Sequence, residues 1–241
     1  MLAGIGITTV GPGGVLMTIG LFTLTALPPP VVAGTSIVTH IATGLAGTLS
    51  YVRSGHLRAP ATRRMASILA LTALAATPLG VLINARISHR LFGVLLGSFV
   101  GAIAVVVWHR QRRSATAEQP ERALGAGPVA IIGTVVAIAS GLFGVGGPMM
   151  TVPILVAGHV PILLAVAAAQ AQSLAIATVG TIGYAACSSI DWRLAVCVGV
   201  PEIVGVIIGW KIARRVPSHR LSYALALILL ALAPYLALCG G

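Results

Sequence analysis

The chain reads as an all-α polytopic membrane protein, and three observations carry that reading. Of its 241 residues 57% are hydrophobic and 8% charged, with a mean hydropathy of +1.02. A soluble domain has about 25% charged residues, so this chain has too few to cover a water-facing surface. The apolar residues come in continuous runs, many near the ~20 residues an α-helix needs to cross hydrocarbon. A membrane β-barrel would alternate over segments of about 10 residues. Finally, the basic residues sit in short gaps between runs, the pattern of loops facing an anionic cytoplasmic leaflet. That placement accounts for the net charge of +11 without nucleic acid, which is not expected as a partner.

About eight apolar runs follow one another: residues 2–27, 31–52, 65–85, 91–108, 124–158, 161–187, 194–212 and 221–238. The first ends at Pro28-Pro29-Pro30. The second, small and polar in places, ends near Tyr51 and is followed by the basic gap 53–64. The third closes on Gly80-Val-Leu-Ile-Asn-Ala-Arg86, and the fourth follows Ser88-His-Arg90. The stretch 109–122 is the longest polar one and the only plausible linker, which divides the chain into a first transmembrane repeat (1–110), a basic cytoplasmic linker (111–122) and a second repeat (123–241). In the second half, Gly205-Val-Ile-Ile-Gly-Trp-Lys211 echoes the third run's end, and Ser218-His-Arg220 repeats the tripeptide that opens the fourth. Matches in the same order argue for a duplicated unit. Trp108, Trp192 and Trp210 lie at run ends, where interfacial anchors belong.

Each half opens on a run interrupted by glycine. The clearer is Ser140-Gly-Leu-Phe-Gly-Val-Gly-Gly-Pro-Met-Met-Thr-Val-Pro-Ile-Leu155, and the weaker copy is Gly4-Ile-Gly-Ile-Thr-Thr-Val-Gly-Pro-Gly-Gly-Val-Leu-Met-Thr18. Lipid offers no hydrogen-bond partner, so broken backbone at membrane depth must be buried in protein or line a cavity. Breaks at corresponding positions of two halves are the sequence pointer to a transporter's binding site. Counting Lys and Arg per gap separates two topologies. If all eight runs cross, the two sides receive nine and six; if the two broken runs re-enter, they receive twelve and three. The positive-inside rule prefers the second. Each half then crosses three times, and the repeats are inverted.

The chain resembles the TauE/SafE family of sulfite exporters and organosulfur-anion permeases over nearly its whole length. The carriers are Gly11-Pro-Gly-Gly14, Gly144-Val-Gly-Gly-Pro-Met-Met-Thr-Val-Pro153, the Gly-Thr-Ser signature in Val32-Ala-Gly-Thr-Ser36, and Tyr51-Val-Arg-Ser-Gly55. The second half has Ala169-Gln-Ala-Gln-Ser173 in place of another Gly-Thr-Ser, and Thr8, Thr9 and Pro12 stand where members often have more glycine. The resemblance implies transport of a small sulfur-containing anion (sulfite, sulfoacetate or a related sulfonate) across a bacterial-type inner membrane. It allows a monomer or a homodimer.

An oxyanion in a membrane needs donors that carry little desolvation cost, and half-helix N-termini supply them. The expected cradle is therefore Gly11, Gly13 and Gly14 from one break and Gly144, Gly146 and Gly147 from the other. Glycine permits the close backbone approach. Thr35, Ser36 and His40 in the second run, and Gln170, Gln172 and Ser173 in the sixth, complete the expected shell, with Thr8, Thr9 and Thr151 beside them. His40 and Glu202 lie near run midpoints, where a charge costs on the order of 2.5–3.5 kcal/mol. His40 is one turn after Ser36 and so shares its face; with Glu202 it is the candidate for proton coupling.

The sequence leaves other classes weaker. The glycines lack the preceding strand and following acidic residue of a dinucleotide fold, and no Lys-Ser/Thr follows for a phosphate loop. No cofactor is expected. No metal site is expected either, since Cys187, Cys197 and Cys239 have no ligand spacing. Met1 leads into apolar sequence without a basic n-region, so no cleavable signal is expected. Two alternatives stay open: an intramembrane serine hydrolase using Ser36, and a non-transporting membrane subunit in which the glycines serve helix packing.

Overall fold

A computed structural model describes residues 14–113 and 124–213. Eight helices lie among the described residues, without a strand: α1 (Gly14–Leu24), α2 (Pro29–Arg53), α3 (Pro60–Asn84), α4 (His89–Arg113), α5 (Ala126–Phe143), α6 (Pro148–Ala157), α7 (Ile162–Ala186) and α8 (Trp192–Ala213). Four of them, α2, α3, α5 and α7, are long and apolar enough to cross a membrane. The last apolar run, 221–238, lies outside the described residues, as do Gly11, Pro12, Gly13, Thr8 and Thr9.

Proline sets the starts. Pro28 before α2 and Pro161 before α7 are extended, with φ,ψ of −64°,150° and −53°,136°. Proline stands at the first turn of α2 and of α3, where its missing N–H costs nothing. Helix α3 thus begins at Pro60, ahead of the apolar run, and its first turn carries the exposed Arg63 and Arg64. Helix α4 continues to Arg113, so the first residues of the expected linker are helical. Gly80 is the 21st residue of α3 and Gly205 the 14th of α8.

The run 124–158 is two helices. Helix α5 ends at Gly144, which adopts φ +68°. The amides of Gly144 and Val145 both bond to the Ser140 carbonyl. A side chain at 144 would be strained in that region and would strike the Ala33 backbone. Helix α6 restarts at Pro148.

Between lipid-facing helices there is no hydrophobic drive to associate, so small residues at crossings decide the packing. Helix α3 lies against α5 and α7, α2 against α7 and α8, α1 against α2, and α6 against α7. At the α3–α5 crossing a Cβ on Gly141 would be 2.5 Å from the Thr77 carbonyl, and one on Gly80 would meet the carbonyl of Ile138. Polar side chains Thr35, Ser36, His40, Gln172, Ser173 and Glu202 are buried, while Leu71, Ile131, Ile182 and Val196 point outward at more than 60% exposure. Inside-out polarity of this kind suits lipid rather than water. An apolar cluster that includes Phe22, Phe92, Phe143 and Met149 ties α1 and α4 to the break.

Candidate functional site

The site is built where α1, α2, α7, α8 and the break meet. His40, on α2, is its centre. Its imidazole is buried, and Nε2 has no hydrogen-bond partner among the described residues. That nitrogen faces Gly14, the first residue of α1: a Cβ there would be 3.1 Å away. A Cβ on Gly146 would lie 3.4 Å from His40 Cδ2 and 3.4 Å from Ser173 Oγ, and the amide nitrogen of Gly146 would be 3.8 Å from a Cβ on Gly14. So Gly14, His40, Gly146 and Ser173, from four separate segments, converge on one point. Gly147 sits beside it, with Ser173 N 3.5 Å and Gln172 Oε1 3.6 Å from where its Cβ would be. Glycine is needed here for room: each side chain added would take space that the histidine and serine face. Where α6 begins, directly after these glycines, Pro148 has no N–H and the amides of Met150 and Thr151 bond to the Gly147 carbonyl, so the backbone amide nearest Gly14 is that of Gly146, in the break itself.

Behind the imidazole stands Glu202. Its Oε1 is 3.7 Å from His40 Nδ1, both side chains are buried, and neither carboxylate oxygen has a hydrogen-bond partner among the described residues. The neighbouring contact explains the meeting. Gly199 of α8 lies against Thr39, with a Cβ there 3.3 Å from Thr39 Cγ2, and Glu202 is three residues further along the same helix face. A buried acid facing a buried imidazole can hold or pass one proton; an unpaired charge at such depth would be costly.

Other expected groups have neighbours of their own inside the fold. Thr35 Oγ1 accepts the amide of Asp191 at 3.1 Å, which ties α2 to the start of α8 and takes that hydroxyl to the loop. Ser36 Oγ is 3.0 Å from Thr18 Oγ1. That contact, rather than one to a base, is the arrangement of the serine once considered as a nucleophile. Gln172 is held at both ends, accepting from Thr151 Oγ1 at 2.6 Å and donating to the Gly133 carbonyl at 3.2 Å. Gln170 lies against Gly47 of α2, about two turns from His40. Gly144 shapes the break as a left-handed cap. The sequence reading overlooked three residues that the fold brings in. Thr18 stands four residues after Gly14, as Thr151 stands four after Gly147, and that equal spacing was a visible signal. Asn84 and Tyr184 bond to carbonyls at the end of α5; the signal for Asn84 was an amide in an otherwise apolar helix end.

A family model described as Sulfite exporter TauE/SafE matches residues 1–236. The chain belongs to the TauE/SafE family. Among curated proteins it is similar to two from Xylella fastidiosa, each called a probable membrane transporter protein. One, from strain 9a5c, is 29% identical, and one, from strain Temecula1, is 27% identical; each match covers 97% of this chain and 90% of the relative. No solved structure matches. Family and relatives together support a multi-pass membrane transporter. No group of three metal-ligating side chains occurs among the described residues.

Proposed function

We propose that this chain is a secondary transporter that carries sulfite, sulfoacetate or a related sulfonate by alternating access. The observation that carries the reading is the buried, unpartnered His40 Nε2 aimed between Gly14 and Gly146. The anion sits where these groups converge, held by first-turn amides of α1, by the Gly146 amide, by His40 and by the Ser173 hydroxyl. Gly147 lets the backbone come close, and Gln170 lies further along the path. Ser36 and Gln172 hold α1 and α6 to the long helices rather than touching the anion. Among the described residues the groups that meet here are backbone dipoles, a hydroxyl and an imidazole, which hold the substrate weakly enough to release it.

Alternating access follows from two inverted repeats whose broken segments re-enter from opposite sides. The twelve-to-three split of basic residues supports this. So does the packing, in which α2 meets α7, α2 also meets α8, and α7 also meets α3, with α3 and α8 each the third apolar run of its half. Residues 109–122 are then cytoplasmic in a bacterial-type inner membrane. Cysteines placed at Gly125 and Gly158 and labelled from one side test re-entry: both react from the same side if the segment re-enters, and from opposite sides if it spans. The function itself is tested by flux in proteoliposomes. Saturable movement of sulfite or a sulfonate is expected, absent in His40→Ala. No flux above empty vesicles across a panel of sulfur oxyanions would overturn the substrate class.

A further inference from the structure

A helix that stops inside a membrane leaves its last carbonyls without acceptor-seeking amides, and lipid cannot supply them. Helix α5 stops at Phe143, in front of the glycines of the cradle. The Ser140 carbonyl is taken by the amides of Gly144 and Val145. The next two carbonyls go to side chains from other helices. Tyr184 OH, on α7, donates to Gly141 O at 2.7 Å, and Asn84 Nδ2, on α3, donates to Leu142 O. Both donors are buried.

Each donor arrives by a glycine crossing. Asn84 lies one turn beyond Gly80, where the backbones of α3 and α5 touch. Tyr184 lies one turn beyond Gly180, which packs on Ile37, and its ring fits against Gly34, with Cγ 3.0 Å from the position a Cβ would take. The two bonds therefore anchor the end of α5 to α3 and α7 together. They bracket the break on the side opposite α6.

We propose that Asn84 and Tyr184 are positioning residues that hold the break at 144–147 in its shape, so that Gly146 faces His40 and Ser173. Neither touches the space in which the anion is placed. The functional half of this inference rests on the anion reading above; the structural half does not.

The experiment uses the full chain, purified and reconstituted, as wild type, Tyr184→Phe and Asn84→Leu. Hydrogen–deuterium exchange is followed at the amides of Gly144 and Val145, and sulfite or sulfonate flux is fitted for KM and kcat. In Tyr184→Phe, exchange at those two amides speeds up with no change in the other helices. KM rises roughly three- to tenfold, the factor that one net hydrogen bond represents, and kcat changes less. Asn84→Leu shows the same pattern, more strongly. Unchanged exchange at 144 and 145 in Tyr184→Phe overturns the proposal, as does a uniform rise in exchange with KM unaltered, which marks a general stability role. Should Asn84→Leu fail to fold, Tyr184→Phe, which removes one oxygen, decides alone. If wild type transports none of the anions, the cradle reading falls, and the exchange result still decides whether the two side chains fix the break.

Discussion

Helices α2 and α7 have 25 residues each, each follows an extended proline, and each is preceded by a short helix that starts at a glycine pair. Counted from Pro28 and Pro161, several residues fall on the same step. Tyr51 matches Tyr184, Gly47 matches Gly180, and His40 matches Ser173. The last pair meets at Gly146. One arm thus brings a titratable ring and the other a hydroxyl to the same space, and only the ring is backed by an acid, Glu202. On the proposed reading the near-equal scaffolds with unequal groups divide the labour: both arms cradle the anion, and the first arm handles the proton.

The sharpest way to break this picture is to fill the space. Gly146→Leu places a branched side chain against His40 and Ser173, and flux should fall to the level of empty vesicles while the protein still folds and assembles. Unchanged flux would make the glycine a packing residue. Gly144→Ala acts differently although it is two residues away. There the cost is structural, about 1–2 kcal/mol for the left-handed conformation alone, plus the clash with Ala33. Lower thermal stability is therefore expected for Gly144→Ala and not for Gly146→Ala.

The next effect separates the arms. His40→Ala should abolish both anion binding and any response to a pH gradient, whereas Ser173→Ala should weaken binding and leave the pH response in place. Equal losses in the two variants would show that the arms do not divide the work. Glu202→Gln sharpens the same point. It keeps shape and hydrogen-bonding capacity but cannot release a proton, so transport down a substrate gradient should persist while a proton gradient no longer drives accumulation. Proton-driven accumulation retained in Glu202→Gln would remove the acid from the mechanism.

Much of the fold was legible because membrane helices announce themselves by run length and because proline and glycine punctuate them. The starts of α2 and α7 at a proline, the split of 124–158 at its glycines, and the depth of His40 and Glu202 all follow from such local chemistry. Partnership was not legible. Nothing in the run 194–212 says that Glu202 faces His40 rather than a helix end; that depends on Gly199 resting on Thr39, a contact between helices far apart in sequence. The partner of Thr35 was not legible for the same reason: its hydroxyl oxygen accepts from a loop amide 156 residues away. A hydroxyl's partner is a tertiary property, whereas a glycine's freedom is a local one.

The smallest expected effect tests the two arms at their most similar point. Thr18 bonds Ser36 and Thr151 bonds Gln172, each from the fourth position after a glycine. Valine at either site keeps the shape and removes the hydroxyl. In Thr18→Val, the freed Ser36 hydroxyl can turn back to a carbonyl of its own helix, so the loss should be near the membrane average of about 0.6 kcal/mol. In Thr151→Val, Gln172 has no such escape, because its Nε2 remains fixed on the Gly133 carbonyl and its Oε1 is buried. An acceptor stranded in this way costs about 1–3 kcal/mol. Thermal unfolding in detergent should therefore rank Thr151→Val below Thr18→Val, and Thr151→Val should also raise KM, since Gln172 lies beside Gly147. The reverse order would mean that the first arm, not the second, is the rigid half of the cradle.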